Sequence, residues 1–356
     1  MTRHRMLALA VALTCSSAVS MSPATARTNL STNTDANSGE ALLAVVQQDL
    51  HRVDLVSAQR NGLPVVRRLG RRGRGQGELI LPGGAAVGPG GVVWVSDSGN
   101  NRLQRFDRNG EVDLVVRDLA GHGALSQPGA LAFDPERGHL FVTDTDHDRV
   151  VVLDGDGRAL ATWGVPGQAA GSLLRPHGIA LSPDGATVYV IDLVSPRVQA
   201  FTPGGGFVRA TGTGPGAPSI VNPTAISTGP DGDVYLTDET LGRVSRLSPD
   251  LEILDTWGGS HGSGPGAFYN PQGVAVDARG RVWVVDYGNH RGQVFTTTGE
   301  FLSTFLDGQV GMLEAKEVHT SAGRLPPYAV LVGGAVMILV EIARRTRGRR
   351  TVLEPL

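Results

Sequence analysis

A chain of 356 residues, 40% hydrophobic and 19% charged, has enough apolar content for a packed domain and too little charge for a disordered polyelectrolyte. Its 32 basic and 34 acidic residues leave a net charge of −2, which argues against the basic footprint of nucleic-acid-binding proteins. Cys15 is the single cysteine, so an internal disulfide is excluded.

Residues 1–26 read as a secretory signal peptide. Arg3, His4 and Arg5 precede an apolar run from Met6 to Leu13, and Ala24-Thr25-Ala26 forms a small-x-small cleavage site. Lipidation at Cys15 is the alternative, although Thr14 stands where such signals usually carry Gly or Ala. Residues 27–41, polar from Thr28 to Gly39, read as a flexible linker.

Within 42–325 one unit recurs. A strand of aromatic and β-branched residues ends in Asp, and Arg opens the next strand five positions later. The pairs are Asp97 and Arg102, Asp144 and Arg149, Asp192 and Arg197, Asp238 and Arg243, Asp286 and Arg291. Successive Asp residues stand 47, 48, 46 and 48 positions apart, a spacing that implies one supersecondary unit stacked on itself. From Asn270 to Phe305 the unit holds four short strands separated by Gly, Pro, Asp and Asn, which is an antiparallel meander. One meander cannot cover both of its faces. Packing blades around an axis does so, and the expected fold is all-β: a β-propeller of four-stranded antiparallel blades.

Glycine-rich loops at 70–77, 212–216 and 258–266 precede blades and suit chain crossings at positive φ. A phosphate-cradling loop would open a helix, whereas strands follow here. The repeated Asp and Arg read as structural braces, because Arg forks onto carboxylate or carbonyl oxygens.

Pro271 to Asp277 (PQGVAVD), Val282 to Arg291 (VWVVDYGNHR) and Gln293-Val294-Phe295 resemble an NHL repeat. The naming motif is read at Asn289-His290-Arg291-Gly292, with Gly in place of Leu. The unit at 82–110, with Asn100-Asn101-Arg102-Leu103, is a further match, and the resemblance covers about residues 44–305. It implies that N- and C-terminal strands join in one blade. Ala44 to Val46, His51 to Val56 and Leu63 to Gly70 resemble the outer part of a sixth blade, with a C-terminal contribution sought between Val310 and Val318. Six blades are expected; five with an irregular flank is the alternative.

Tyr328 to Ala343 is apolar apart from Glu341 and is followed by Arg344, Arg345, Arg347, Arg349 and Arg350. Sixteen helical residues reach about 24 Å against a hydrocarbon core of about 30 Å, a deficit that snorkelling arginines can absorb. Residues 326–343 therefore read as a transmembrane-like helix and 344–356 as a basic cytoplasmic tail, leaving the propeller extracytoplasmic. A helix capping the propeller is the alternative. Without Arg3, Arg5, the five tail arginines, Glu341 and Glu354, 25 basic residues face 32 acidic ones, a charge of −7. Arg67, Arg68, Arg71, Arg72 and Arg74 depart from that balance and read as a solvated loop or as an anion patch.

Propellers bind ligands at the axial mouth, where the loops leading into the innermost strands converge. The polar residues there are His177, Arg175, Asn222, Thr224, Tyr269, Asn270 and Gln272. Pro176-His177 resembles the Pro-His motif of peptidylglycine-type amidating lyases, a likeness that implies zinc held by histidines from several blades. A three-histidine site would need His122, His147 or His261 as well. No Ser elbow, catalytic Cys or His-Glu-x-x-His helix is present. The sequence thus reads as a monomeric, exported, membrane-tethered propeller without cofactor that binds a protein, peptide or glycan at its mouth. A secreted lyase or lactonase using His177 and a divalent metal is the alternative.

Overall fold

The computed structural model describes residues 30–34, 41–58, 63–211 and 220–310, with four short strands beyond residue 318. Within the unit Ala26–Val318 six four-stranded antiparallel sheets form six blades. Blade 1 spans 30–69, blade 2 84–116, blade 3 128–163, blade 4 176–210, blade 5 223–258 and blade 6 271–305. The innermost strands, Leu30–Thr34, Gly84–Val87, Pro128–Asp134, Pro176–Leu181, Pro223–Thr228 and Pro271–Val276, touch one another in sequence, and the last returns to the first. The ring is closed.

Second strands such as Val93–Asp97, Val188–Asp192 and Val282–Asp286 are buried at every position, which is why they read as continuous apolar runs. Each serves two seams at once, because successive side chains point to opposite faces of a strand. In blade 1, Leu43 and Val45 pack with Trp283, Val285 and Phe305 of blade 6, while Ala44 and Val46 pack with Val93, Val95 and Phe106 of blade 2. Six such clusters occur, one per seam, so the core is a ring of inter-blade layers. Outer strands such as Ile253–Gly258 are mostly exposed or half-buried.

Closure differs from the sequence expectation. Leu30–Thr34, inside the stretch read as a flexible linker, is the innermost strand of blade 1 and pairs along its whole length with Ala41–Gln47. The physical reason is the inner edge of Ala41–Gln47, whose backbone groups need partners once the strand is buried. The nearest preceding chain supplies them and keeps the meander order. Residues 311–318, where the closing strand was sought, lie outside the described residues.

A second unit comprises Met1–Thr25 and His319–Leu356. Its described parts are two antiparallel pairs, His319–Thr320 with Gly323–Arg324 and Val330–Val332 with Ala335–Met337. Where a transmembrane-like helix was expected over 326–343, the described pieces are therefore strand. Among the described residues no helix is long and apolar enough to cross a membrane. The signal-peptide stretch and Cys15 lie outside the described residues.

Candidate functional site

The repeated carboxylates and guanidiniums hold the loops that deliver the chain to the mouth. Asp97 accepts the Ile80 N–H at 2.7 Å, the Arg102 Nε–H at 2.6 Å and the Asn100 amide at 2.9 Å. Arg102 then reaches back to the carbonyl of Glu78 at 2.8 Å. Blade 6 repeats the pattern: Asp286 accepts from Tyr269 N–H at 2.7 Å, Arg291 Nε at 3.0 Å and Asn289 at 2.8 Å. Asp144 and Arg149 pair at 2.8 Å and Asp192 and Arg197 at 3.0 Å, and Asp238 accepts the N–H of Val221 at 2.8 Å and of Leu241 at 3.0 Å. Burial raises the Asp192 carboxyl above its ordinary range despite the bonds from Ser195 and Arg197.

A third partner in this brace escaped the sequence reading. Gln104, Gln199 and Gln293, two positions after the Arg, each donate to a linker carbonyl, at 2.8, 2.7 and 2.8 Å, and each accepts a linker glycine N–H at 2.9 Å. The recurring Arg-x-Gln was the available signal. In blade 1 the residue types are exchanged: Gln47 takes the Asp position, and Asp54 takes the Gln position, paired with Arg52 at 3.0 Å.

Register shifts mark the first residues of the innermost strands in blades 3 to 6. A bulge lifts a residue out of the ladder and re-aims its side chain. His177, Thr224 and Gln272 occupy these bulges, and they are 8%, 1% and 1% exposed. They were expected to be open mouth positions; the neighbouring blades bury them. Thr143 and Thr145 Oγ1 donate to the carbonyls of His177 and Pro176, both at 2.8 Å. Thr224 Oγ1 donates to the Pro271 carbonyl at 3.1 Å and lies 2.9 Å from Thr237 Oγ1. Ser96 and Ser98 bond the Gly129 and Pro128 carbonyls in the same way. Hydroxyls thus stitch one blade to the next around the mouth.

Arg175, Asn222, Tyr269 and Asn270 sit in the loops just ahead of those strands and are more open. Arg175 pairs with Asp146 at 2.8 Å, and the Asn222 amide donates to Glu239 at 3.2 Å. Tyr269 is 48% exposed, its ring edge-on to His261 at 5.9 Å. Arg175 and Asn270 both adopt φ of 53°, in the left-handed region. The arrangement is a buried polar inner ring surrounded by an accessible rim.

The histidines proposed for zinc are not brought together. His147 Nδ1 lies 2.9 Å from Asp144, His122 Nδ1 lies 3.3 Å from Thr162 Oγ1, and His261 packs on Tyr269. Among the described residues no group of three or more His, Cys, Asp or Glu is placed to hold a metal.

Arg67 and Arg68 lie on the outer strand of blade 1, and Arg71, Arg72 and Arg74 on the linker to blade 2. Beside them an open cleft of about 470 Å³ is lined by Arg71, Gln76, Glu111 and Val112, among others. His51, in the turn below, uses Nδ1 to accept the Leu81 N–H at 3.0 Å. Burial and the adjacent Arg72 charge hold its pKa below the ordinary imidazole value. Asn101 and Asp148 play the same part for the N–H of Gln127 and Arg175, at 2.9 and 2.7 Å.

Comparison with known proteins agrees with this geometry. A family profile described as "NHL repeat" matches residues 79–106 and 268–295. The chain is 32% identical to mouse NHL repeat-containing protein 3 over 194 residues, 49% of this chain and 54% of that protein. Against the human protein of that name it is 33% identical over 175 residues, 44% and 48% of the two chains. The chain therefore spans about half the length of these curated relatives. Gluconolactonase from Zymomonas mobilis is 30% identical over 138 residues, 35% of this chain and 38% of the enzyme. Virginiamycin B lyase from Staphylococcus aureus shares the fold, with a TM-score of 0.54 at 14% identity over 81% of this chain and 87% of that one. The chain is thus a six-bladed β-propeller that carries two matched NHL repeats, in blades 2 and 6.

Proposed function

We propose that this propeller is an exported binding scaffold that takes a protein, peptide or glycan ligand at its axial mouth. The observation that carries the reading is the split between repeated and unrepeated polar residues. Asp, Arg and Gln repeat from blade to blade and are consumed in bracing linkers. The loops entering the innermost strands vary instead: the residue before the opening Pro is Gln127, Arg175, Asn222 or Asn270, and Tyr269 is aromatic where the other loops have Ile80, Ser126, Leu174 and Val221. Tyr269 supplies the large amphipathic surface enriched at interaction hot spots. A monomeric propeller suffices for such a site, because the ring closes within one chain.

Export rests on the signal-like residues 1–26, and membrane tethering on the apolar stretch and arginines after residue 327. Protease added to intact cells should remove the propeller, and carbonate should leave the tail in the membrane fraction. Soluble cytoplasmic protein would refute both. For the mouth, a photo-crosslinker at Tyr269 should capture a ligand that the same group at Asp184 does not.

A second reading is a metal-dependent lyase or lactonase acting through His177. The likeness to a gluconolactonase over about a third of the chain favours it. Stoichiometric zinc or calcium in the purified protein, lost on His177→Ala, would support that enzyme.

A further inference from the structure

We infer that the circumference between blades 1 and 2 is a second binding surface, built for a linear acidic polysaccharide and separate from the mouth. Arg67, Arg68, Arg71, Arg72 and Arg74 fall within eight residues, a run of at most about 25 Å even if fully extended. Arg68 alternates with Arg67 onto the opposite strand face, where Asp54 lies 3.6 Å away, so the stripe consists of Arg67, Arg71, Arg72 and Arg74. Of these Arg71 has a carboxylate neighbour, Glu78 at 3.2 Å, yet its side chain stays 81% exposed. Among the described residues Arg67, Arg72 and Arg74 have no ion-pair partner. Arg67 extends along Gly110 on the outer hairpin of blade 2, so it flanks the cleft from the blade 1 side.

The shape of the charge selects the partner. Signal and tail aside, the chain is at −7, so a planar anionic bilayer would meet repulsion on either side of a narrow basic stripe. A thin polymer engages the stripe alone, since charges beyond about 8 Å are screened at physiological salt. Single-stranded nucleic acid needs exposed aromatic faces for stacking. The aromatic lining this cleft, Phe106, is 1% exposed. An acidic peptide would want apolar anchor pockets. This cleft instead offers the Gln76 amide oxygen, whose NH2 partner already donates to the Val112 carbonyl at 2.9 Å, with the Glu111 carboxylate and glycine backbone, which suit sugar hydroxyls. Sulfate or carboxylate groups then lie along the arginines while a neutral ring face enters beside Glu111.

The probe is a heparin hexasaccharide, titrated against the full chain at physiological salt. Arg71→Ala, Arg72→Ala and Arg74→Ala combined should weaken binding at least about tenfold with an unchanged melting temperature, because exposed charges contribute to contacts but little to folding. Should that variant melt early, Arg72→Ala with Arg74→Ala carries the same test. Glu111→Ala discriminates further. A simple ion-exchange patch binds the anion more tightly once the carboxylate is gone, whereas a built sugar site loses a hydroxyl acceptor and binds more weakly. Tighter binding by Glu111→Ala would overturn the inference, and so would unchanged binding by the arginine variant. Equal affinity for oligo(dT), poly-glutamate or phosphatidylglycerol vesicles would also overturn it.

Discussion

Gly292 stands where blades 2 to 5 have Leu103, Val150, Val198 and Val244. The structure supplies the missing volume from elsewhere. A Cβ on Gly292 would fall within the ring of Phe305, which is 3% exposed and packs edge-on against Trp283 at 5.3 Å. Gly292→Leu restores the residue type of blade 2 but overfills the seam between blades 6 and 1. Displacing Phe305 forfeits about 1.5–3 kcal/mol of burial and about 0.5–1.5 kcal/mol of aromatic pairing, while the buried Leu returns about 1.5–3 kcal/mol. The net expectation is a loss of about 0.5–1.5 kcal/mol, at the low end of the usual cost of overpacking. Gly292 does not require positive φ, so backbone strain adds nothing. Phe305→Ala alone should cost about 3–5 kcal/mol through the cavity it leaves. The double variant should be more stable than the sum of the two by about 0.5–3 kcal/mol, since the new Leu occupies the space the ring vacates. Urea unfolding followed by tryptophan fluorescence reads all three. Wild-type stability in Gly292→Leu, or strict additivity in the double variant, would refute the exchange of Phe305 for the Leu of blade 2.

Asp286→Ala removes the acceptor of four donors and leaves Arg291 without its carboxylate, so a loss of about 3–5 kcal/mol is expected in thermal melts. Binding at a matched folded fraction should survive; its loss would make Asp286 a site residue. His51 has a folded-state pKa below its unfolded value, so its contribution is present above about pH 6.5 and is lost as pH falls through the folded pKa. His51→Asn keeps an acceptor for Leu81 N–H, as Asn101 does for Gln127, and should melt with a shallower acid dependence between pH 7.5 and 5; an identical slope would refute the role. Thr224→Ala breaks the hydroxyl stitch to Pro271 and should cost about 1 kcal/mol, whereas Tyr269→Ala should cost no more than about 0.5 kcal/mol. A reversal of that order in chemical denaturation would contradict the division into inner ring and rim.

Legibility followed the range of the interactions. The second strands were plain because burial on both faces demands uninterrupted apolar residues, as in Val282–Asp286. The Asp–Arg period was plain because one local turn recurs in every blade. Leu30–Thr34 was not, since Leu-Ser-Thr-Asn-Thr has the composition of a loop and becomes a strand only through the edge it covers. The loops carrying His177, Thr224 and Gln272 were readable as leading to the axis, but their burial was not, because it depends on neighbouring blades whose hydroxyls reach these strands' carbonyls across 31 to 47 residues. For the same reason the mouth candidates divide unequally: Tyr269 remains an accessible surface, while His177 and Gln272 also bear on stability.

The seam between blades 6 and 1 shows how a repeat solves a problem that repetition creates. Every other blade is joined covalently to its predecessor by a linker that its own Asp, Arg or Gln holds down. In blade 1 the brace is altered, where the ring closes on the residues that follow blade 6. With Gln47 at the Asp position, the amide reaches both Asp54 at 3.3 Å and the carbonyl of Gln309 at 3.4 Å. A carboxylate at position 47 could only accept, and it would face that carbonyl with no hydrogen to offer. The exchange keeps one carboxylate, one amide and one guanidinium in the pocket, and it turns a donor toward the C-terminal segment. Around it, the Tyr287 hydroxyl bonds Asp49, the Val310 N–H donates to the His290 carbonyl at 3.4 Å, and the Val310 side chain is fully buried. Residues 306–310 therefore meet the blade 1 brace as linkers meet it in the other five blades, and the repeated brace chemistry is rearranged to receive the segment that follows blade 6.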